Sequence, residues 1–321
     1  MSIFAAMNTS FLLAGLSQSD SATIQTLIQK AESTFSRFSA ESEITNINQS
    51  RGQWVNISPQ TFTLLEDSVS AYKETEGLFN PFLGETMHAL GYNRSFETLP
   101  LAKMPPQMQE KSPCPSPEIE PFQTDMKVHL EFDKKRGMVR LSDLVTLDLG
   151  GIAKGWIAQY ACNELQRNGV NKGLIDAGGD IILWGHDPLH KEWGIGVAHP
   201  FDPNIEVASL WFSAKTAIAT SSTIKRRWQQ SNKCTVHHII DPRTGLPSAS
   251  DLIQVTILAR DLIIAEQYTK CLLILGSATG FPWIQNKRPD VAYLAVRNDG
   301  SILTSENLRW YCTDLEVLTH A

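Results

Sequence analysis

Apolar residues recur at helical or alternating spacing through most of the chain, and this pattern predicts the order of its helices and strands. Residues 2–16 are predicted as one strand, and a helix follows from residue 19 or 20 to about residue 36. A second helix is predicted after Ser58, which can cap it, with Pro59 suited to its first position and Gly77 to its end.

Two segments lack regular spacing. Residues 35–48 are polar and rich in turn-forming residues around two aromatic side chains, which predicts irregular structure. The stretch at about residues 95–126 contains seven of the sixteen prolines. We predict that it is a surface excursion from a single domain spanning residues 1–321, and not a linker between domains.

Two glycine-centred elements occupy the middle of the chain. The apolar run 144–147 is predicted as a strand that leads through a glycine turn into a helix ending at Arg167. In residues 173–185, two apolar segments flank the paired glycines Gly178 and Gly179. This pattern indicates close approach of a ligand or of another backbone, and the alternative is a bulge.

The other periodic segments are mostly strands. Strands are predicted at residues 127–132, 138–141, 193–197, 207–212 and 252–258, a helix at 261–275, and a terminal hairpin at 291–296 and 301–304. Because strands and helices mix without strict βαβ alternation, the fold class is predicted as α+β.

Composition narrows the possible partners. The chain has 321 residues, of which 42% are hydrophobic, and a formal net charge of −6 without a basic block. These values allow a substantial core and argue against nucleic acid or an anionic membrane as a partner. Five scattered cysteines without a Cys-x-x-Cys pair favour reduced thiols. The start lacks a basic segment and a long apolar run, so we expect no signal peptide, no transmembrane span and a cytoplasmic location.

Two stretches combine residue types that can bind a phosphate. Asp148 and Lys154 flank paired glycines at a predicted helix start, where free N–H groups and the helix dipole favour an anion. Residues 217–228 combine hydroxyls, including those of Thr220 and Ser221, with three cations. Each stretch has a structural alternative: a tight turn with a solvated lysine in the first, and a capped helix with a solvated basic face in the second.

A histidine pair offers candidate acid–base chemistry. His237 and His238 enter a predicted strand that ends in a stiff, charged turn carrying Asp241 and Arg243. A histidine can be neutral near pH 7 and accept a proton there. A lone histidine is more often structural, but two of them beside an acid, a cation and the hydroxyl cluster favour a functional site.

The order of these motifs resembles that of the ApbE-like family, the FAD:protein FMN transferases. The match spans nearly the whole chain outside the proline-rich excursion. The segments that carry the resemblance are Ala-Met-Asn-Thr (6–9), Phe-Ser-Arg-Phe…Ser-Glu-Ile…Asn (35–48), Gly-Leu-Phe-Asn-Pro (77–81), Leu-Asp-Leu-Gly-Gly-Ile-Ala-Lys-Gly (147–155), Asp-Ala-Gly-Gly-Asp (176–180), Ala-Thr-Ser-Ser (219–222) and His-His-Ile-Ile-Asp-Pro-Arg-Thr-Gly (237–245).

The resemblance implies an α+β fold with a T-fold-like core, a smaller flanking lobe and an FAD-binding cleft between them. It implies transfer of FMN from FAD to a Thr or Ser hydroxyl of an acceptor protein, with release of AMP and with Mg²⁺ at the pyrophosphate. Some members of the family instead hydrolyse FAD to FMN and AMP, so an FAD pyrophosphatase is an alternative function. A non-catalytic FAD-binding protein is a further alternative.

Residue type and motif position suggest individual roles. His238 is the candidate base with His237 as the alternate, Asp241 could orient the histidine or a metal-bound water, and Arg243 could bind phosphate. The residues assigned to FAD by motif are Met7, Phe38, Leu78, Phe79, Asn80, Asp148, Lys154, Gly178, Gly179, Thr220, Ser221 and Ile240.

One late motif departs from the family pattern and bears on the metal. The family's Ala-Asp-x-x-x-Thr motif supplies oxygens to Mg²⁺ together with a main-chain carbonyl of the glycine turn, here implied for Gly151. The best match in this chain puts Glu266 at the Asp position and Lys270 at the Thr position. An ammonium repels a divalent cation, so Lys270 could itself replace the metal charge. The alternatives are a match shifted by one residue, and an exposed Glu266–Lys270 pair on one helix face.

Overall fold

A computed structural model describes residues 1–99, 129–187, 189, 191–230 and 234–318. Most of the predicted excursion at residues 95–126 lies outside the described residues. The helices of the described ranges are α1 (Gln18–Phe35), α2 (Glu43–Asn48), α3 (Pro59–Glu74), α4 (Gly84–Ala89), α5 (Ala153–Arg167) and α6 (Leu262–Lys287).

The strands are short and are spread along the chain. Numbered in chain order, they are β1 (Ser2–Ala6), β2 (Thr9–Ala14), β3 (Trp54–Asn56), β4 (Leu130–Asp133), β5 (Met138–Leu141), β6 (Gly173–Ala177), β7 (Asp180–Trp184), β8 (Trp193–Ala198), β9 (Glu206–Phe212), β10 (Thr216–Ser222), β11 (Arg227–Gln229), β12 (Thr235–His237), β13 (Ile240–Asp241), β14 (Leu246–Pro247), β15 (Leu252–Ala259), β16 (Ala292–Arg297), β17 (Ile302–Thr304) and β18 (Asp314–Val317).

Side-chain caps determine where the long helices begin. Ser17 accepts a hydrogen bond from the Asp20 N–H at the start of α1, and Ser58 accepts one from the Thr61 N–H at the start of α3. Asp261 caps α6 in the same way. Each cap satisfies N–H groups that have no partner inside the helix. The predicted starts of these three helices are confirmed to within two residues.

Eight antiparallel strands form the central sheet, in the order β1-β2-β6-β7-β10-β15-β16-β17. Successive side chains of a strand point to opposite faces. Ile175 of β6 therefore belongs to the main core under the helices, whereas its neighbour Leu174 belongs to a second core on the other face. The predicted α+β class is confirmed.

Different layers cover the two faces of the central sheet. The helices α5 and α6 pack on one face, and α1 packs against α5 and β1. A smaller sheet with the order β18-β9-β8 covers the other face, where Leu210 and Phe212 of β9 are fully buried. The result is a helix–sheet–sheet arrangement around two hydrophobic cores.

Two tight hairpins join strands of the central sheet. Met7 and Asn8 connect β1 to β2, so the predicted single strand over residues 2–16 is in fact two strands. Gly178 and Gly179 connect β6 to β7, with φ of 73° and 98°. A two-residue turn with positive φ at both positions matches the twist of the paired strands, and glycine adopts it without steric cost. The paired glycines therefore form a hairpin turn and not a bulge.

Three further predictions are corrected. The apolar run 144–147 is not a strand, because Leu144 is 76% exposed and only Thr146 forms an isolated bridge. The segment predicted as irregular contains α2, which Ser42 caps. The last helix continues beyond residue 275, where Gly276 interrupts it with φ 74° and ψ 176°.

A small apolar cluster packs α4 against the hairpins β11–β12 and β13–β14. Its buried members are Met87, Leu90, Leu99, Trp228, Val236 and Ile240. The Trp228 indole donates a hydrogen bond to the Leu90 carbonyl, at 2.7 Å. This flanking cluster corresponds to the smaller lobe that the resemblance implies.

The expectation that the cysteines are reduced is wrong for Cys234. Cys162, Cys271 and Cys312 are free, but Cys234 is disulfide-bonded. Spacing along the sequence does not show which thiols come within bonding distance in the fold, so the sequence could not predict this bond.

No helix of the described ranges is long and apolar enough to cross a membrane.

Candidate active site

Two adjoining cavities lie between the main core and the flanking cluster. The large cavity, of about 350 Å³, is lined by residues that include Met7, Asn8, Phe38 and Lys154. The small cavity, of about 100 Å³, is lined by residues that include Leu78, Phe79, Asn80, Ile240, His238 and Lys270. Tyr92, Asp148, Gly150 and Arg226 line both cavities. The large cavity alone has the size of a small-molecule site, and the shared residues make the two cavities parts of one cleft.

Arg37 connects Tyr92 and Asp148, which line both cavities, with Phe38, which lines the large one. Its guanidinium lies 4.2 Å from the ring centroid of Phe38 and 4.9 Å from that of Tyr92, which are cation–π distances. It also donates to the Tyr92 carbonyl at 2.7 Å and pairs with the Asp148 carboxylate at 2.9 Å. Tyr92 in turn stacks on Trp228 of the flanking cluster, with 5.3 Å between the ring centroids.

Asp148 orders the glycine turn that passes between the cavities. Its Oδ1 accepts a hydrogen bond from the Gly150 N–H at 2.8 Å, and its other carboxylate oxygen pairs with Arg37. Its own N–H donates to the Pro81 carbonyl. These contacts tie the turn to the segment that carries Phe79 and Asn80, so Asp148 and these two residues, all predicted to contact FAD, come together at the small cavity.

Arg226 is the cation at the junction of the two cavities. Its guanidinium donates to the Asn8 carbonyl at 3.3 Å and lies over the Phe96 ring. Its neighbours behave differently: Lys225 is exposed, and Arg227 donates to the Thr223 carbonyl. Of the three cations that the sequence offered as phosphate ligands, Arg226 is thus the one that lines the cleft.

His238 lines the small cavity and is suited to accept a proton. It hydrogen-bonds to the Arg226 backbone, and its Nδ1 is buried without a hydrogen-bond partner in the described part of the chain. Burial, together with the positive charges of Arg226 and Lys270 and the neighbouring His237, lowers the pKa of His238 well below its ordinary value of 6.5. The ring is therefore neutral at physiological pH and has a free lone pair.

The other three residues assigned to catalysis do not line either cavity. His237 is buried, and both ring nitrogens are engaged, Nε2 with the Ser248 carbonyl and Nδ1 with the Ile239 N–H. Asp241 and Arg243 pair with each other through two hydrogen bonds in a surface turn, where the Arg243 side chain is 57% exposed. The structure thus places His238, Ile239 and Ile240 of this motif at the small cavity and His237, Asp241 and Arg243 outside both cavity linings.

A buried charge cluster, formed by Lys154, Asp180, Glu266 and Lys270, lies beside the cleft, where Lys154 lines the large cavity and Lys270 the small one. Lys154 pairs with Asp180 and with Glu266. The Glu266 carboxylate, which is fully buried, also accepts a hydrogen bond from the Gly155 N–H at 2.8 Å. The start of α5, predicted to bind a phosphate, is therefore occupied by a carboxylate of the protein itself.

Mutual pairing shifts the pKa values of Lys154 and Glu266 towards their charged forms. Burial would lower the pKa of Lys154, but the charges of Asp180 and Glu266 outweigh it and raise that pKa. Burial would likewise raise the pKa of Glu266, yet Lys154, Lys270 and the Gly155 N–H together hold it below its ordinary value. At Asp180, by contrast, burial outweighs the charge of Lys154 and raises the pKa above its ordinary value.

The residues of this cluster do not fit a divalent metal. Lys270, at the position where the family supplies a Thr oxygen, places its Nζ 3.3 Å from Glu266 Oε1. Each Glu266 carboxylate oxygen already accepts a hydrogen bond from the protein. Across the described ranges there is also no group of three His, Cys, Asp or Glu residues arranged to hold a metal ion. Glu266 is buried, which overturns the alternative of an exposed Glu266–Lys270 pair.

Four residues assigned to FAD by motif lie outside the cavity linings. Thr220 and Ser221 of β10 bond through their hydroxyls to Thr256 and Thr269, at 2.9 Å and 2.8 Å. Gly178 faces Thr9, whose hydroxyl oxygen lies 1.9 Å from where a Cβ would stand. The close approach that the paired glycines indicated is therefore to a neighbouring strand, and no atom of the described residues lies within 4 Å of the corresponding position at Gly179.

A Gly155→Ala substitution should reveal the contact between α5 and Glu266. The added Cβ would stand 2.6 Å from Glu266 Oε2 and 3.2 Å from the Leu262 carbonyl oxygen. We expect the free energy of unfolding, measured by urea denaturation, to fall by about 1–3 kcal/mol because the core is overpacked. Arg167→Ala, at an exposed site on the same helix, is the control. An unchanged free energy for Gly155→Ala would contradict this packing.

The sequence did not identify every residue that lines the cleft. Arg37 and Tyr92 line the cleft but were not singled out, and Arg226 was noted only as one of three cations. A positive residue between two aromatics, as in Phe35-Ser-Arg37-Phe38, was the available signal for Arg37. No local pattern identifies Tyr92, because its position depends on packing against Trp228.

An antiparallel α+β scaffold with a two-part cleft lined by aromatic rings and cations defines a protein built to bind a flat, phosphate-bearing small molecule. The ApbE family model matches residues 7–295. The chain belongs to the ApbE family.

Individual relatives agree with this family membership. The chain is 29% identical over 282 residues to an FAD:protein FMN transferase of Klebsiella pneumoniae, covering 87% of this chain and 83% of the relative. The crystal structure of an ApbE protein from Thermotoga maritima is similar with a TM-score of 0.80 and 25% identity, covering 98% of this chain and 99% of the other. The flavin transferase ApbE from Vibrio cholerae has a similar fold, with a TM-score of 0.72 and 20% identity over 97% of this chain and 98% of the other.

Proposed function

We propose that this protein is an FAD:protein FMN transferase, which moves FMN from FAD to a Thr or Ser hydroxyl of an acceptor protein and releases AMP. Membership of the ApbE family and similarity to the Klebsiella pneumoniae FAD:protein FMN transferase support the proposal. The observation in the structure that carries it is the two-part cleft with Arg226 at the junction and His238 beside it.

FAD suits such a cleft because its two flat ring systems are joined through a pyrophosphate. Met7 and Phe38 in the large cavity and Phe79 in the small one offer sulfur and aromatic surfaces for the rings. Arg226 can donate to pyrophosphate oxygens at the junction. Asn80 has its Oδ1 bonded to the Phe82 N–H, while its Nδ2 is buried without a partner among the described residues. A polar ligand atom in the small cavity would satisfy it.

The reaction exchanges one bond to phosphorus for another. The acceptor hydroxyl oxygen attacks the FMN phosphorus, the bond from that phosphorus to the bridging oxygen breaks, and AMP leaves with the bonding electrons. His238 accepts the hydroxyl proton at Nδ1, for which its lowered pKa leaves it neutral. Arg226 neutralises charge on the phosphate oxygens. If water replaced the acceptor hydroxyl, the same residues would hydrolyse FAD to FMN and AMP.

The proposal is tested by following both products from FAD by chromatography, with and without a peptide that contains Thr-Gly-Ala, the acceptor pattern that the family resemblance implies. We expect AMP to appear only with the peptide, in an amount equal to the FMN bound to it. Equal amounts of AMP and free FMN would instead assign the protein as an FAD pyrophosphatase. FAD that binds but stays intact under all conditions would assign it as a binding protein.

The pH dependence of transfer tests the assignment of His238. A base works in its neutral form, so activity is present above its pKa and is lost as the pH falls through it. Because the pKa of His238 lies well below 6.5, we expect kcat to stay constant from about pH 8 down to about pH 6.5 and to fall only below that, unlike an ordinary histidine. A decline centred at about pH 6.5 or above would contradict the assignment.

The sequence of the acceptor motif and the cytoplasmic location stay predictions. The acceptor is proposed to present its Thr or Ser on an accessible segment, because the hydroxyl must reach the FMN phosphorus next to His238. Mg²⁺ is not assigned a role, because both oxygens of the Glu266 carboxylate already accept hydrogen bonds within the protein, two of them from the ammonium groups of Lys154 and Lys270.

A further inference from the structure

Lys270 places a positively charged side chain at the wall of the small cavity. It lies on α6, one turn after Glu266, with a side chain that is only 15% exposed. Its stem packs near Gly151, where an added Cβ would stand 3.3 Å from Lys270 Cε. Lys270 lines the small cavity together with His238 and Arg226.

The hydrogen bonds of Lys270 leave part of its ammonium available. The Nζ donates to the Glu266 carbonyl at 2.9 Å and to Glu266 Oε1 at 3.3 Å. In the described part of the chain, its donors reach Glu266 alone. An ammonium has three N–H donors, so one is left beside the cavity. The two contacts fix the group in place, and the third donor suits a phosphate oxygen.

Glu266 cannot take part in binding a divalent cation while it serves Lys154, Lys270 and the Gly155 N–H. A divalent cation at this carboxylate would also stand next to two ammonium groups, which repel it. The charge cluster reaches the cleft through Lys154, which lines the large cavity, and through Lys270, which lies beside Arg226 and His238 in the small one.

We propose that Lys270 binds the pyrophosphate of FAD as a fixed cation, in place of a divalent metal, so that this protein binds FAD and transfers FMN without Mg²⁺. The part of this inference that concerns FMN transfer rests on the proposed function. The part that concerns binding of FAD by Lys270 does not depend on transfer. As the bond between the FMN phosphorus and the bridging oxygen breaks, charge grows on the departing AMP phosphate. The Lys270 N–H neutralises that charge without giving up its proton, and the hydroxyl proton goes to His238.

The first test measures binding and does not depend on catalysis. The Kd for FAD is measured by isothermal titration calorimetry with EDTA and with Mg²⁺, and Mg²⁺ alone is titrated into the protein. We expect the same Kd in both conditions and no heat of Mg²⁺ binding. A Kd that improves about tenfold or more with Mg²⁺ would overturn the proposal.

The second test uses variants of Lys270. Lys270→Met should weaken FAD binding about tenfold, because one charged donor to the phosphate is lost. It should lower the transfer rate about 10²-fold or more, because neutralisation of the leaving phosphate is lost as well. Lys270→Arg, which keeps the charge, should recover part of both. Lys287→Met, on the same helix but paired with Glu76 at the surface, is the matched control and should match wild type in both.

Failure of this proposal and failure of the transferase proposal give different results. If wild type binds FAD without Mg²⁺ and Lys270→Met weakens that binding, Lys270 is confirmed as a phosphate ligand even when no FMN is transferred. If Lys270→Met binds FAD as tightly as wild type and retains its melting temperature, the proposal is overturned. Should Lys270→Met unfold, Lys270→Gln replaces it under the same criteria.

Discussion

Replacing His238 by Asn should lower the rate of FMN transfer by about 10²- to 10⁴-fold, the usual contribution of a positioned general base. Asn is close to histidine in size and remains polar, but it cannot take a proton near pH 7. Because His238 lines the small cavity and its Nδ1 has no protein partner within the described ranges, we expect the Kd for FAD to change little. Stopped reactions that quantify the FMN-modified peptide give the rate.

His237→Asn is the matched control for this prediction. Both nitrogens of His237 are engaged by Ser248 and Ile239, so its loss should reduce the free energy of unfolding by about 1–3 kcal/mol and leave the transfer rate nearly unchanged. If His237→Asn abolished transfer and His238→Asn did not, the assignment of the base would be reversed.

Arg226→Gln should give the second large effect. Arg226 lines both cavities, and its guanidinium can bridge phosphate oxygens at the junction. We expect kcat/KM for FAD to fall by about 10²- to 10³-fold, because a donor is lost from both the bound pyrophosphate and the developing charge. The variant should also raise the pKa of His238, because a positive charge that lowers it has been removed. The acidic limb of its pH profile should therefore lie at higher pH than in wild type.

Lys225→Gln provides a control with the same change of charge at the adjacent residue. Lys225 is exposed and is absent from the lining of both cavities. Its kcat/KM should equal that of wild type. Equal losses for the two variants would mean that long-range charge, and not a contact at the junction, attracts FAD.

The fold was largely predictable because local signals decide most of its elements. Ser58 followed by Pro59 fixed the start of α3, and the periodic strands and helices were found close to their observed positions. The errors arose where packing decides the outcome. Residues 144–147 are apolar enough for a strand, but they run as an irregular segment beside α4, where Thr146 bridges Leu83. Met7 and Asn8 form a hairpin turn although neither is a glycine.

The site was only partly predictable, because the order of motifs along the chain does not show which side chains of a motif face the cleft. Asp148, Asn80 and His238 belong to separate motifs, and the fold brings all three to the cleft. Asp241 and Arg243 share a motif with His238, yet they pair with each other in a surface turn. The role of Asp180 as partner of Lys154 depends on the packing of α5 on β7, which brings together residues that are 26 positions apart.

Transfer of FMN by this protein can be read from the mass of an acceptor peptide after incubation with the protein and FAD. The peptide carries one Thr followed by Gly-Ala, and a second peptide has that Thr replaced by Ala. We expect the first peptide to gain one FMN, attached through the Thr oxygen as a phosphoester, with one AMP released for each, and the second to stay unmodified. If the first peptide kept its mass while FAD was consumed or bound, the assignment as an FMN transferase would be contradicted.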